Sequence, residues 1–281
     1  MANLIRSAKS SCDWDDNELM AYNIMFTAIP AHQFFPQETD VPLTLVGLDS
    51  GLTKDEVSSY AQVSPATFHL LARLHFAMDP RQAEYEPVIV SLASEVLDRF
   101  GFQKRQTCLF REYTIPLLIC DDTNQVACIS VCLVSDPSNS LLVLLAAKTL
   151  MGPSNVEACM VAGAIATYQF NNNRRREMGL HPLDAMTMPC ITMVGTRPAF
   201  YLVPVTKALS EAVISGQFPS DRTEVLKCEV ASDHDGGMEV PEYRRVAFQY
   251  FVAFQSLAQS HWEKFLSFDQ VLLPPTNYHT D

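Results

Sequence analysis

The sequence predicts an α/β sandwich: a mixed sheet containing an antiparallel three-strand meander, flanked by helices, with a helical region ahead of it. Three observations lead there. A helix-period stretch over 87–100 runs into three apolar, strand-like segments, 112–120, 126–134 and 141–147, separated by turn residues. A long helical stretch over 153–176 follows, small and apolar through its middle from Ala158 to Ala166. Another strand-like run, 190–194, comes next, so the order is helix, three strands, long helix, strand.

Taken in order, residues 1–81 read as a helical N-terminal cap and 82–281 as the α/β domain. In the cap, short apolar patches are interrupted by Pro30, Pro36 and Pro42 and by the acidic stretch 13–18. Thr53 and Glu56 have capping-box spacing, and 64–77 has helical period with Phe68, Leu71 and Leu74 or His75 on one face and Pro80 beyond its end. The domain opens with Pro87, suited to a first helical turn, and the helix stops at Gly101. Its stripe combines Val88, Leu92 and Val96 with Ile89, Ala93 and Phe100. Asp121-Asp122-Thr123-Asn124 and Asp136-Pro137-Ser138-Asn139 supply the turns of the meander. The long helix ends before Gly179 and Pro182, and its apolar middle must lie against the sheet. Beyond 190–194, Gly195-Thr196-Arg197-Pro198 turns the chain into a strand at 200–203. A helix over 206–215, a strand over 223–230, a polar loop over 232–237 and an aromatic helix over 243–262 complete the pattern.

Composition narrows the function classes. With 281 residues and 48% hydrophobic content the chain has material for a large core. Thirty-two acids against twenty bases give a net charge of −12, which disfavours nucleic acid as a partner because each phosphate contact needs a nearby cation. No apolar run approaches the roughly 18 residues of a membrane span. Eight scattered cysteines without a CxxC pair read as reduced thiols in a cytoplasmic or nuclear protein. The absence of GxxxxGK[ST], GxGxxG and HExxH patterns excludes P-loop NTPases, kinases, Rossmann dehydrogenases and HExxH metalloproteases. Oligomeric state is left open.

Several segments carry a resemblance. Tyr85-Glu86-Pro87-Val88, Leu141-Leu142-Val143 leading to Lys148, the run Ala164 through Asn172, and Ile191 through Pro198 with Phe200-Tyr201 resemble the PD-(D/E)XK nuclease-like superfamily. Within it, the chain looks like a lineage of mushroom-forming fungi (basidiomycetes), over residues 82–260. The resemblance implies that family's α/β sandwich. It also implies a site where an acid on the second strand, an acid two residues before a Lys on the third, and a Glu of the first helix hold Mg²⁺ that activates water. Lys148 and Glu86 match, whereas Ala146 stands at the acid-x-Lys position and Ser130 at the second-strand acid. Cys159 and Gly163 fall where related helices are polar.

Three outcomes follow from that degenerate set. Lys148 and Glu86 form a structural ion pair in a protein that binds another protein or a small molecule, with no catalytic residue, metal or cofactor. Alternatively, a pocket lined by Ser130, Cys132, Ala146, Lys148, Cys159 and Gly163 serves new small-molecule chemistry. In the third, a relocated acid such as Glu157 preserves Mg²⁺-dependent phosphodiester cleavage. Elsewhere, Asp121-Asp122 reads as a turn, Asp233-His234-Asp235 as a solvated loop, and Arg174-Arg175-Arg176 as cations complementing a helix C-terminus.

Overall fold

Seven strands form one mixed sheet in the computed structural model, which describes residues 6–35, 64–79, 86–136, 138–149, 155–231 and 236–266. The strands are β1 (Ile24–Ala28), β2 (Thr107–Pro116), β3 (Val126–Ser135), β4 (Leu141–Lys148), β5 (Ala185–Val194), β6 (Arg197–Thr206) and β7 (Thr223–Glu229). Their spatial order is β1-β7-β6-β5-β4-β3-β2. β2, β3 and β4 are the antiparallel meander. β5 returns parallel to β4, which requires a crossover connection, and the long helix supplies it. The sheet flanked by helices establishes the α/β class.

The helices are α1 (Asp16–Ala21), α2 (Ala31–Phe34), α3 (Pro65–Met78), α4 (Glu86–Arg99), α5 (Val156–Glu177), α6 (Lys207–Ser215) and α7 (Pro241–Leu266). Adjacent strand residues point to opposite faces, and β6 shows what covers each. Phe200 meets Phe251 and Phe254 of α7 at 5.1 Å between centroids, whereas the Tyr201 hydroxyl reaches Glu157 of α5. α5 and α7 therefore lie on opposite faces, and Phe100, just past α4, stacks on Phe251 of α7.

Two asparagines of α5 explain part of its polar sequence. Asn171 accepts the Leu141 N–H at 2.9 Å and donates to the Leu141 carbonyl at 2.8 Å; Asn172 does the same for Leu183 at 2.8 and 3.0 Å. Each side-chain amide imitates a strand partner, holding β4 and the approach to β5 against the helix. Arg175 is buried and donates to the carbonyls of His181 and Phe265, so it serves the core rather than a phosphate.

The N-terminal region differs from a purely helical cap. Ile24–Ala28 joins the sheet in parallel with β7, and α1 begins in a capping box of Asp15 and Glu18 inside the acidic stretch that interrupts the apolar patches. Trp14, 1% exposed, stacks on Tyr22, so this region shares the core of the domain. In α3 the inner face is Thr67, Leu70 and Leu74, and Phe68 is turned outward. The spacing at Thr53 and Glu56, and Asp233-His234-Asp235, lie outside the described residues.

β2 also runs further toward its N-terminal side than 112, starting at Thr107. Glu112 has φ of 52°, and no ladder pair joins it to Ser130 although Arg111–Val131 and Tyr113–Ile129 are in register. The rings of Phe110 and Tyr113 touch at 5.6 Å. The ladder is interrupted locally at Glu112, while Leu109 before it and Tyr113 and Ile115 after it keep the less exposed positions.

Candidate functional site

The β3–β4 ladder stops at Val131 and Leu145, and the two strands part beyond it. Ser130 bridges the opening: its hydroxyl accepts the Ala147 N–H at 3.0 Å. Further along β3, Ser10 Oγ accepts the Val126 N–H at 3.3 Å and Ser11 Oγ accepts the Cys128 N–H at 3.1 Å. Hydroxyls of the N-terminal segment thus take the place of the departed strand, satisfying donors that would otherwise be left without partners. Lys9 anchors the segment through Glu18 at 2.6 Å.

Lys148, at the end of β4, donates to Glu86 Oε2 at 3.0 Å, and Glu86 opens α4. Burial lowers the lysine pKa, but the bond and charge of Glu86 outweigh it and the net direction is upward. Glu86, Ser130, Ala146 and Lys148 are therefore one neighbourhood. Ala146 is 8% exposed and pairs with Thr192 of β5.

The other expected pocket residues are distributed differently. Cys132 is fully buried in the core, its thiol pushed up to about 12 by loss of solvent. A Cβ added at Gly163 would sit 3.9 Å from Ile129 Cγ1, an ordinary packing contact between α5 and β3. Cys159, one turn before Gly163, faces the N-terminal segment instead. Its thiol donates toward Cys12 Sγ at 4.0 Å and Ser11 Oγ at 3.9 Å. Cys12 itself is exposed. The Cys159 bond draws Cys12 down to about 6 against the cost of burial, assisted by Ser11, the Lys148 charge and the Cys128 thiol. The Cys159 pKa moves up, through that same bond and its burial.

A cleft of about 660 Å³ lies next along the sheet, over β5, β6 and β7. Thr192, Tyr201 and Lys227 lie in its wall with Glu157 from the first turn of α5. Lys227 Nζ bonds Glu157 at 2.8 Å and Glu229 at 2.7 Å, and the Tyr201 hydroxyl donates to Glu157 at 2.8 Å. The Tyr201 and Thr192 hydroxyls are 3.2 Å apart. Burial, then the Glu157 charge, raises the Tyr201 pKa. None of the six residues expected to line a pocket lines this cleft. The signal available for it was Lys227-Cys228-Glu229, two opposite charges at strand period, which places both on one face of the strand.

Asp122 accepts from the Asn124 N–H at 2.8 Å and from the Gln125 amide at 2.9 Å, so its carboxylate closes a turn. Among the described residues, no cluster of three or more His, Cys, Asp or Glu side chains is arranged to hold a metal ion, and no helix is long and apolar enough to cross a membrane. Comparison with protein-family models and with curated proteins finds no match for the chain.

Proposed function

We propose that the chain is a catalytically degenerate PD-(D/E)XK-like protein that works as a binding module for a small polar molecule or a protein. The observation that carries this reading is the 3.0 Å bond between Lys148 and Glu86 at the parting of β3 and β4, with Ser130 and Ala146 beside it. Two carboxylates at those positions would hold a divalent cation; a hydroxyl engaged by Ala147 and a methyl group leave the lysine to neutralise the single remaining acid. The helix–meander–helix–strand order supports the family reading. The relocated-acid alternative is weaker, because Glu157 is engaged by Tyr201 and Lys227. Small-molecule chemistry on Lys148 is weaker too, since its amine is tied to Glu86. The neighbouring cleft, offering both carboxylates and a cation, suits a polar ligand, and eight free thiols suit a reducing compartment.

The test is incubation of purified protein with single- and double-stranded DNA and with RNA, in Mg²⁺ and in Mn²⁺. No cleavage is expected. Reproducible cutting that Lys148→Ala abolishes would overturn the reading.

A further inference from the structure

Three cysteines far apart in sequence meet at the parting of the strands. Cys12 comes from the N-terminal 3-10 turn, Cys128 from β3 and Cys159 from the first turns of α5. Their exposures differ in a way that matters for thiol chemistry. Cys12 and Cys128 are exposed, while Cys159 is 4% exposed. The thiol of Cys159 points at the Cys12 sulfur at 4.0 Å; Cys128 also lies beside Cys12, and its sulfur accepts from the Thr114 hydroxyl at 3.9 Å.

We propose that Cys12 and Cys159 form a reversible disulfide in response to hydroperoxide, fastening segment 10–12 to the start of α5 beside Lys148. An exposed sulfur meets the oxidant and a shielded sulfur in contact with it resolves the product, the division of labour that thiol switches require. In the first step the Cys12 thiolate attacks one peroxide oxygen. The O–O bond breaks, the departing oxygen takes a proton and leaves as water or alcohol, and Cys12 becomes a sulfenic acid. In the second, the Cys159 sulfur attacks the Cys12 sulfur, the S–O bond breaks, and the hydroxide leaves with the Cys159 proton as water. Two electrons pass from the two thiols to one peroxide, and a dithiol reverses the exchange.

Thiolate at Cys12 is favoured by its surroundings: the Cys159 thiol and Ser11 hydroxyl donate to it, and Lys148 supplies positive charge. The facing ionisable groups are Cys128, Cys159 and Lys148, with Glu86 held on Lys148. The sulfurs must close by roughly 2 Å to reach the usual bond length of about 2.05 Å. That movement falls to Cys12, whose side chain is exposed in a three-residue turn.

The experiment treats the full chain with hydrogen peroxide, blocks remaining thiols by alkylation and maps cross-linked peptides by mass spectrometry with and without dithiothreitol. A peroxide-dependent Cys12–Cys159 link that dithiothreitol removes is expected. A Cys12–Cys128 link in its place, or Cys12 and Cys159 both recovered as alkylated thiols, would overturn the proposal. In folded Cys159→Ser protein, dimedone should trap sulfenic acid on Cys12; no adduct would overturn the peroxide route. Should Cys159→Ser fail to fold, Cys12→Ser, a change at an exposed site, gives the same decision. Cys159 must then stay a free thiol through the treatment, and its oxidation there would refute the assignment. In the untreated protein, half-maximal alkylation of Cys12 is expected near pH 6 rather than about 8.5, and a midpoint at the ordinary value would remove its role as the attacking sulfur.

Discussion

The hydroxyl of Ser130 accepts the backbone N–H of Ala147 at 3.0 Å, so a neutral side chain fastens β3 to β4 just past the last ladder pair. On the reading proposed here, that fastening occupies ground once held by a carboxylate and a cation.

Reinstating acids there should bring the cation back. The double variant Ser130→Asp, Ala146→Glu, with Glu86 and Lys148 untouched, is expected to bind Mg²⁺ or Mn²⁺, because two new carboxylates join one already on α4. Isothermal calorimetry checks it. A folded double variant that gives no binding heat would show that these positions do not converge.

Loss of the lysine should matter little to stability and more to its neighbours. The Lys148 and Glu86 side chains are 17% and 40% exposed, so the pair is partly solvated and Lys148→Met should cost less than about 1 kcal/mol in a denaturant melt. The same change removes a positive charge near Cys12, and the pH of half-maximal Cys12 alkylation should rise. An unchanged midpoint would disconnect the two residues.

Lys227 should shape the alkaline limb of the stability curve. Burial lowers its pKa, and bonds to Glu157 and Glu229 raise it by more, so the folded value exceeds the ordinary one. The folded state then holds the proton more tightly than the unfolded chain. Its contribution is complete below about pH 10.4 and drains away as pH climbs through the folded value. Lys227→Met should flatten that limb and cost about 1–3 kcal/mol at pH 7, where Glu157 loses its cation. Denaturant melts between pH 7 and 11 measure both effects.

Asn171→Leu should be among the more damaging single changes. It strips partners from both backbone groups of Leu141 in a buried setting, and each such loss costs about 1–3 kcal/mol. A fall of roughly 2–4 kcal/mol in unfolding free energy is expected; less than about 1 kcal/mol would mean that water replaces the amide.

Much of the fold was legible because its central elements are long and punctuated. The α5 stretch announces itself by small apolar residues between Asn155 and Gly179, and α7 by Phe248, Phe251 and Phe254 at helical spacing. β1 was not legible: five residues at an edge, with only Ile24 buried, carry too little alternation to stand out. The neighbourhood of Glu86 and Lys148 came from the family resemblance and the meander. The thiol cluster did not, since residues 12, 128 and 159 are joined only by the parting of two strands and a segment that fills it. Nor could residue spacing reveal the break in the β2–β3 ladder at Glu112, which depends on one backbone angle.

The pairing of β1 with β7 has a kinetic consequence. Ile24 lies beside Thr223, about 200 positions later, whereas β2, β3 and β4 are joined by short turns. Contacts at such separation carry a large loop-closure entropy and form slowly, after local hairpins and helices have narrowed the search. Until then the outer edge of β7 is open to another chain's strand, a hazard that grows with concentration. The early-synthesised strand is thus expected to dock late in folding, and refolding yield should fall as protein concentration rises unless that edge is covered in time.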